Sequence, residues 1–217
     1  MIVLLGPPGS GKGTQGDIIS EKYGIPKIST GDMLRSAVEK GTSLGNEAKE
    51  KMDRGELVDD EIVLAMLKER ISETDCENGY VLDGFPRNIV QAEKLAALVG
   101  DIPMTIIDIL LADDVVIQRL TSRRICNACD KIYNLAERKP KQNGRCDNCQ
   151  GELIQRKDDN PEIIRERLRI YHEEIEPLIV FYKNQSVYHH VNGEKDIQKV
   201  FANVKNILNR NIDGKEH

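Results

Sequence analysis

The feature that most constrains the fold of this chain is a glycine-rich segment directly after the first apolar run. Ile2 to Leu5 has the composition of a buried strand and leads into Gly6-Pro7-Pro8-Gly9-Ser10-Gly11-Lys12-Gly13-Thr14. The following residues have helical spacing, with apolar side chains at Ile18, Ile19 and Tyr23. Glycines let successive backbone N–H groups turn toward phosphate oxygens, and the next helix N-terminus favours negative charge. This order of strand, glycine loop and helix predicts a phosphate-binding loop.

One residue of this loop departs from the usual pattern. Lys12 provides a mobile positive charge for the outer phosphates of a nucleotide. The usual motif has Ser or Thr directly after the lysine, whereas here Gly13 separates Lys12 from Thr14. The motif alone therefore implies phosphate binding more strongly than metal coordination by the Thr14 hydroxyl.

Further apolar runs alternate with stretches of helical periodicity. We predict strands at residues 27–29, 80–83, 105–111 and 188–191. The expected helix starts are Asp59 or Asp60, Asn160-Pro161 and Asp196, and Pro177 should kink or restart a helix. This alternation predicts an α/β fold with a mostly parallel sheet that helices cover on both faces. Residues 30–58 and 122–159 break the alternation and are predicted to be insertions with little core.

Length and charge narrow the class of protein. A chain of 217 residues fits one core with small insertions better than two full domains. Its 36 acidic and 31 basic residues give a net charge of −5, which argues against a general nucleic-acid binder. No apolar run approaches the ~18 residues of a membrane span, and no basic region precedes Ile2. We therefore expect a cytoplasmic protein.

Four of the five cysteines lie close together in the second insertion. Cys126-x-x-Cys129 and Cys146-x-x-Cys149 are separated by 16 residues, which is a spacing typical of a four-cysteine zinc site. Four protein thiolates leave no open coordination position, so the predicted zinc is structural, with one ion per chain. Iron is the alternative occupant. Cys76 stands alone and is predicted to be a small buried apolar residue.

Several motifs in a fixed order identify a family that the chain resembles. They are the loop at 6–14, Ser29-Thr30-Gly31-Asp32-Met33-Leu34-Arg35, Asp83-Gly84-Phe85-Pro86-Arg87, Arg123-Arg124-Ile125-Cys126 and Gln155-Arg156-Lys157-Asp158-Asp159-Asn160. From residue 1 to about 208 the chain resembles the adenylate kinases of the long-lid, zinc-containing bacterial type, which are P-loop nucleoside monophosphate kinases. The resemblance implies a five-stranded parallel sheet with flanking helices, a monophosphate-binding insertion and a zinc-bearing lid.

The resemblance also implies a division of the chain and a reaction. The core would comprise residues 1–28, 59–121 and 160–217, the monophosphate-binding insertion residues 29–58, and the lid residues 122–159. The family transfers a phosphoryl group reversibly from Mg-ATP to AMP, which gives two ADP and balances the adenine nucleotides. The implied cofactors are Zn²⁺ and Mg²⁺. The implied partners are these nucleotides, without nucleic acid or membrane, and the implied state is a monomer.

Individual roles follow from the same resemblance. Lys12, Arg87, Arg123, Arg156 and Arg167 would surround the transferred phosphoryl group. The ATP site would comprise Gly9, Ser10, Gly11, Lys12, Gly13, Thr14, Arg119, Arg123, Ile132, Tyr133 and Lys195. The AMP site would comprise Thr30, Arg35, Glu56, Leu57, Val58, Gly84, Phe85, Pro86, Arg87, Gln91, Arg156 and Arg167. Asp83 would hold waters on Mg²⁺.

Two other functions stay open at this level. Asn88 follows Arg87 where adenylate kinases commonly have threonine, and this asparagine is similar to that of the UMP/CMP kinases. Those kinases have a short lid without cysteines, and Gln91 favours adenine. A zinc-ribbon ATPase that binds nucleic acid is the other alternative, since residues 122–159 carry nine basic against six acidic side chains. That excess is weak, and the arginines at the two ends of the segment fit phosphate better.

Overall fold

Short strands alternate with helices along the chain. The computed structural model describes the backbone of residues 1–213 and the side chains of residues 1–210. Its strands are β1 (Ile2–Leu5), β2 (Lys27–Ser29), β3 (Val81–Asp83), β4 (Thr105–Leu110), β5 (Arg123–Cys126), β6 (Ile132–Asn134), β7 (Leu153–Ile154) and β8 (Tyr188–Asn192). Its α-helices are α1 (Lys12–Tyr23), α2 (Thr30–Glu39), α3 (Ser43–Arg54), α4 (Asp60–Ile71), α5 (Ile89–Val99), α6 (Asp113–Thr121), α7 (Pro161–Ile170), α8 (Glu176–Lys183) and α9 (Ile197–Asp213). None of the described helices has the length and apolar character that crossing a membrane requires.

Five of the strands form one parallel sheet in the order β2-β3-β1-β4-β8, which confirms the predicted fold class. The central strand β1 contributes to an apolar core on each face. Val3 and Leu5 belong to one cluster of buried side chains, and Leu4 belongs to the other. All three side chains are at most 3% exposed, because helices cover both faces of the sheet.

The carboxyl ends of three strands lie side by side at one edge of this sheet. The parallel register aligns Asp83 with Leu4 on one neighbouring strand and with Ser29 on the other. The glycine loop follows β1, α2 follows β2, and residues 84–88 follow β3. Ligands of open α/β sheets bind outside the carboxyl ends of the strands. The fold therefore brings the predicted phosphate loop and the 83–87 motif to the same edge.

The two predicted insertions have different structures. Residues 30–54 form α2 and α3, which pack so closely that a Cβ on Gly45 would lie 2.1 Å from the carbonyl oxygen of Ala37. The second insertion contains a three-stranded antiparallel sheet in the order β6-β5-β7. The exact domain boundaries stay a prediction, and residues 214–217 of the predicted core segment lie outside the described residues.

Pro177 interrupts a long helix, as the sequence predicts, and does so through an intermediate turn. A π-helical turn, Tyr171–Ile175, joins α7 to α8, and Pro177 lies in the first turn of α8. A proline lacks the N–H of a regular helix and clashes with the carbonyl four residues earlier, so a wider turn relieves the contact. Within this turn the ring nitrogens of His172 lie 2.9 Å from carboxylate oxygens of Asp113 and Glu176, and these hydrogen bonds raise the pKa of His172.

Helix caps follow the sequence signals with one difference. Asn160 and Asp196 accept hydrogen bonds from backbone N–H groups in the first turns of α7 and α9. Asp59 occupies the cap position of α4, as expected, but its side chain makes no capping hydrogen bond. Its carboxylate instead pairs with Lys51 at 2.5 Å, so this residue links α4 to α3.

Candidate active site

A cleft of about 350 Å³ lies outside the carboxyl ends of β1 and β3, within the usual size of a small-molecule site. It gathers almost every residue that the sequence predicts for nucleotide binding. The predicted residues that line it are Gly9, Ser10, Gly11, Lys12, Gly13, Thr14, Thr30, Arg35, Glu56, Leu57, Val58, Asp83, Gly84, Pro86, Arg87, Gln91, Arg119, Arg123, Ile132, Tyr133, Arg156, Arg167 and Lys195. The side chain of Phe85 does not join them, since it is fully buried in the apolar core.

The phosphate loop has a geometry that requires glycine at its first position. Gly6 has a φ of +132°, and a Cβ there would lie 2.5 Å from the carbonyl oxygen of Ile109. The Nζ of Lys12 donates hydrogen bonds to the carbonyl oxygens of Gly6 and Pro7, both at 2.8 Å. Burial lowers the pKa of Lys12 to about 8, and the charge of Asp83 opposes this shift. An anion beside Nζ would raise the pKa again.

Three partly buried arginines share the cleft with Lys12. Burial lowers the pKa of Arg87 and of Arg156 to about 10, and it lowers the pKa of Arg167 in the same direction. Within the described residues, the buried Nε of Arg156 has no hydrogen-bond partner. Grouped cations repel one another and resist desolvation, so such a cluster is favourable when an anion with several oxygens binds it. The cleft is therefore suited to polyphosphate.

Three carboxylates that the sequence analysis did not single out stand among these cations. Asp159 is fully buried and accepts two hydrogen bonds from Arg123, Nε to Oδ2 at 2.7 Å and Nη2 to Oδ1 at 2.6 Å. Arg167 lies 3.1 Å from Asp158 and 3.5 Å from Asp159. Burial opposes ionisation of Asp158, but the nearby arginines, Arg167 foremost, hold its pKa below its ordinary value. Asp32 pairs with arginines in the same way.

The residue predicted to contact the acceptor base, Gln91, is held from two sides. Its Oε1 accepts a hydrogen bond from the backbone N–H of Arg87 at 2.7 Å, and its Nε2 donates to Asp60 Oδ1 at 2.6 Å. Nearby, the hydroxyl of Thr30 donates to the carbonyl oxygen of Gly84 at 2.9 Å. These contacts connect α2, α4 and α5 to the segment after β3, so they set the shape of this half of the cleft.

The other half of the cleft is formed by α6, the lid strands and the loop after β8. Arg119 donates to the carbonyl oxygen of Gly193 at 2.9 Å and pairs with Glu137 of the lid at 3.1 Å. Tyr133 is 2% exposed, and its hydroxyl accepts a hydrogen bond from the N–H of Asp147 at 2.7 Å. Arg119 therefore joins the core to the lid, through a glutamate that the sequence analysis missed.

The four lid cysteines lie within reach of one metal ion. All their Sγ atoms are within 4.8 Å of one another, with 3.4 Å between Cys126 and Cys149 and 3.6 Å between Cys129 and Cys146. A tetrahedral zinc site with bonds of about 2.3 Å places its sulfurs about 3.8 Å apart. Backbone N–H groups two residues after Cys126 and Cys146 lie 3.5 and 3.4 Å from their Sγ atoms. The cluster can therefore hold a metal ion. Cys76 is buried, as predicted, and lies outside this cluster.

Comparison with known proteins decides the family. Residues 4–187 match the model of the family described as adenylate kinase. The chain belongs to the adenylate kinase family. An adenylate kinase of Archaeoglobus fulgidus is 49% identical over 212 residues, covering 96% of this chain and 98% of that protein. Those of Geobacillus sp. and Thermodesulfovibrio yellowstonii are 47% and 49% identical, covering 95% and 96% of this chain and 97% and 99% of the relatives.

Membership in the adenylate kinase family makes the chain a transferase, a kinase of nucleoside monophosphates. The predicted family and enzyme class are confirmed. The two alternatives, a UMP/CMP kinase and a nucleic-acid-binding ATPase, find no support in these relatives, each of which is an adenylate kinase.

In this adenylate kinase, Arg167 interacts electrostatically with cations from several parts of the cleft. Its charge contributes to the lowered pKa of Lys12 on the loop side and of Arg87 on the monophosphate side. The charges of Arg123 and Arg35 in turn lower the pKa of Arg167. Arg167 on α7 is therefore within electrostatic reach of both halves of the cleft.

Proposed function

We propose that this enzyme catalyses the reversible transfer of the terminal phosphoryl group of Mg-ATP to AMP, giving two ADP. The observation that carries the proposal is the set of partly buried cations around one cleft, contributed by the phosphate loop, the segment after β3, the lid and α7. A transferred phosphoryl group presents oxygens to all of these elements at once. Their convergence is what a donor and an acceptor phosphate need if they are to be held in line.

The two halves of the cleft support two nucleotide sites. For ATP we assign the loop residues 9–14, Arg119 and Arg123, with Ile132, Tyr133 and Lys195 around the base. For AMP we assign Thr30, Arg35, residues 56–58, residues 84–87 and Gln91, although the side chain of Phe85 lies in the core and leaves only its backbone for this role. Arg156 and Arg167 would bridge the two phosphates, because each interacts with charged groups on both sides.

The chemistry needs no general base from the protein. The attacking oxygen belongs to the AMP phosphate, which is already ionised near pH 7, so no proton has to be removed. The protein has to align two polyanions, exclude water and neutralise charge as it develops. The planar guanidinium groups of Arg87, Arg123 and Arg167 can each bond two phosphate oxygens. Asp158 and Asp159 keep the arginines oriented by pairing with them.

Mg²⁺ bound with ATP would neutralise phosphate charge. Asp83 suits it, because its carboxylate ends β3 beside the phosphate loop, and a Cβ on Gly13 would lie 3.4 Å from Asp83 Oδ2. Mg²⁺ keeps several waters, so Asp83 would act by holding those waters. Thr14 also lines the cleft.

We assign Zn²⁺ to Cys126, Cys129, Cys146 and Cys149, one ion per chain. The spacing of the sulfur atoms and the N–H groups directed at two of them support a closed four-thiolate site. Such a site supplies no open coordination position, so its role would be to hold the lid strands together. The resemblance to adenylate kinases supports a cytoplasmic monomer. The net charge of −5 argues against nucleic-acid binding.

The assignment is tested with two arginines on the same helix. Arg167 lines the cleft, whereas Arg169, two residues later, is 53% exposed and pairs with Glu166 and Glu173. Arg167→Met should lower kcat at least a hundredfold in a folded protein, and Arg169→Met should leave it unchanged. ADP formation is measured with ATP, Mg²⁺ and each of AMP, GMP, CMP and UMP. Near-normal turnover by a folded Arg167→Met, or a preference for another acceptor, would contradict the proposal.

A further inference from the structure

Two residues that hydrogen-bond to Gln91 from outside the cleft have no role in the proposed nucleotide sites. Asp60 is the first residue of α4, Asn88 is the N-cap of α5, and neither lines the cleft. Asp60 Oδ1 accepts a hydrogen bond from Gln91 Nε2 at 2.6 Å, and Asn88 Nδ2 lies 3.4 Å from both carboxylate oxygens of Asp60. On the opposite side of the Gln91 amide, the backbone N–H of Arg87 donates to Oε1 at 2.7 Å.

These partners determine on which side the oxygen and the nitrogen of the Gln91 amide lie. A carboxylate can only accept a hydrogen bond, and a backbone N–H can only donate one. Turning the amide by 180° would bring its oxygen against the Asp60 carboxylate and its NH₂ group against the Arg87 N–H. Both new contacts are repulsive and leave buried groups without partners. One orientation of the amide is therefore strongly preferred.

Asp60 lies at the start of α4, where further N–H groups stand close to its carboxylate. It begins a helix of 12 residues, whose N-terminal N–H groups favour negative charge nearby. The side chain of Asn88 adds an N–H group on the same side. Its Oδ1 is occupied as the cap of α5, where it accepts from the backbone N–H of Gln91 at 2.8 Å. Asn88 thus fixes both the backbone of Gln91 and the carboxylate that holds its amide.

The oriented amide presents a defined pattern to the cleft. After its two internal hydrogen bonds it keeps one N–H and one oxygen lone pair. A base edge with a ring nitrogen that accepts, next to an amino group that donates, is complementary to this pair, and adenine has such an edge. Hypoxanthine and guanine have the reverse order, a ring N–H beside a carbonyl oxygen. A site that hydrogen-bonds one arrangement of donor and acceptor rejects the reverse arrangement strongly, because buried polar groups would be left unpaired.

We propose that Asp60 is a positioning residue that sets the acceptor specificity of this enzyme: by holding the Gln91 amide in one orientation, it selects 6-aminopurine nucleotides over 6-oxopurine nucleotides. This inference rests on the proposed function, in which Gln91 contacts the acceptor base. Asp60 acts from outside the cleft and touches no substrate. Asn88 assists it there and does not contact the base.

The test compares AMP with inosine monophosphate, two purine nucleotides that differ at this edge. Values of kcat/KM for both acceptors and KM for ATP are measured for the parent enzyme, Asp60→Ala, Asp60→Asn and Gln91→Ala. Glu61→Gln is the matched control, because it removes a negative charge from the same turn of α4 at an exposed side chain. Thermal unfolding establishes that each variant is folded.

We expect Asp60→Ala to lower the AMP preference over inosine monophosphate at least tenfold, since the amide can then turn, while KM for ATP stays within about twofold. Asp60→Asn keeps one acceptor oxygen and should retain an intermediate preference, which also serves if the alanine variant fails to fold. Glu61→Gln should match the parent. An unchanged preference in folded Asp60 variants, or equal losses for both acceptors, would overturn the inference. If Gln91→Ala also leaves the preference unchanged, the assignment of Gln91 to the acceptor site fails as well; if Gln91→Ala alone abolishes it, only the role of Asp60 is refuted.

Discussion

Replacing Gly45 with alanine should drive apart the two helices of the first insertion. Gly45 lies in the first turn of α3 and is buried against α2. A Cβ at this position would lie 2.1 Å from the carbonyl oxygen of Ala37, 2.3 Å from its carbon and 2.6 Å from the nitrogen of Val38. These are backbone atoms of a helix and cannot rotate away. The helices would therefore have to separate by about 1 Å to restore ordinary contact.

The magnitude follows from two opposing effects. Overpacking a close contact costs about 1–3 kcal/mol, and contact with backbone points to the upper end of that range. Alanine gains at most about 1 kcal/mol over glycine in a helix. The net loss of about 2 kcal/mol should lower Tm by about 4–8 °C for a protein of this size. Because α2 carries Arg35 and residues 56–58 follow α3, KM for AMP should rise severalfold, with little change in KM for ATP.

Circular dichroism melting and initial-rate kinetics check this prediction. Lys49→Ala is the control, since it changes an exposed side chain on the same helix. If Gly45→Ala melts within about 1 °C of the parent and keeps its KM for AMP, the two helices cannot be in the close contact described. Equal increases in both KM values would mean that the damage is not confined to the insertion.

Four further predictions follow from the site and from the turn before α8. Lys12→Met should cut turnover by orders of magnitude in a folded protein, because Lys12 brings a mobile charge to the phosphates; rapid turnover would refute its role. Since the pKa of Lys12 is lowered to about 8, nucleotide binding at pH 8.5 should take up protons, seen as a buffer-dependent calorimetric enthalpy that Lys12→Met lacks. Chelation of the lid metal under reducing conditions should lower Tm while part of the kinase activity survives; complete loss of activity at an unchanged Tm would mean that the metal is catalytic. The pKa of His172 is raised by Asp113 and Glu176, so its stabilisation should be complete below about pH 6.5 and lost as pH rises through the folded-state value; His172→Gln should flatten that part of the Tm profile.

The strands and the phosphate loop could be predicted because their signals are local. Ile2 to Leu5 and Lys27 to Ser29 were expected as strands and have those bounds in the structure. The cysteine pairs are equally local, since each is a tight turn with two thiols. Pro177 predicts an interruption of the helix. The form of that interruption, a π-helical turn, depends on how α7 and α8 pack against the rest of the chain.

The features that the sequence did not predict depend on contacts between residues that are distant in the chain. Asp159 becomes a partner of Arg123 only when the two ends of the lid meet, 36 residues apart in the chain. Phe85 lies inside a recognisable motif, yet its side chain packs in the apolar core. Asp59 is of a residue type that commonly caps helices, but Lys51 on another helix competes for its carboxylate. In each case a tertiary contact decides among options that the local sequence leaves open.

The π-helical turn at Tyr171–Ile175 changes the phase of the helical rod that contains it. Each residue of an α-helix advances by about 100°, so one extra residue in a wider turn rotates everything beyond it by about that angle. Before the turn, Ile164 and Leu168 pack in the small cluster shared with α6; after it, Leu178 and Tyr182 pack in the large cluster below the sheet. Deleting one residue here would leave a regular helix in phase with one cluster and out of phase with the other. The packing of this segment is therefore expected to tolerate exchanges of side chains more readily than a change in the segment's length.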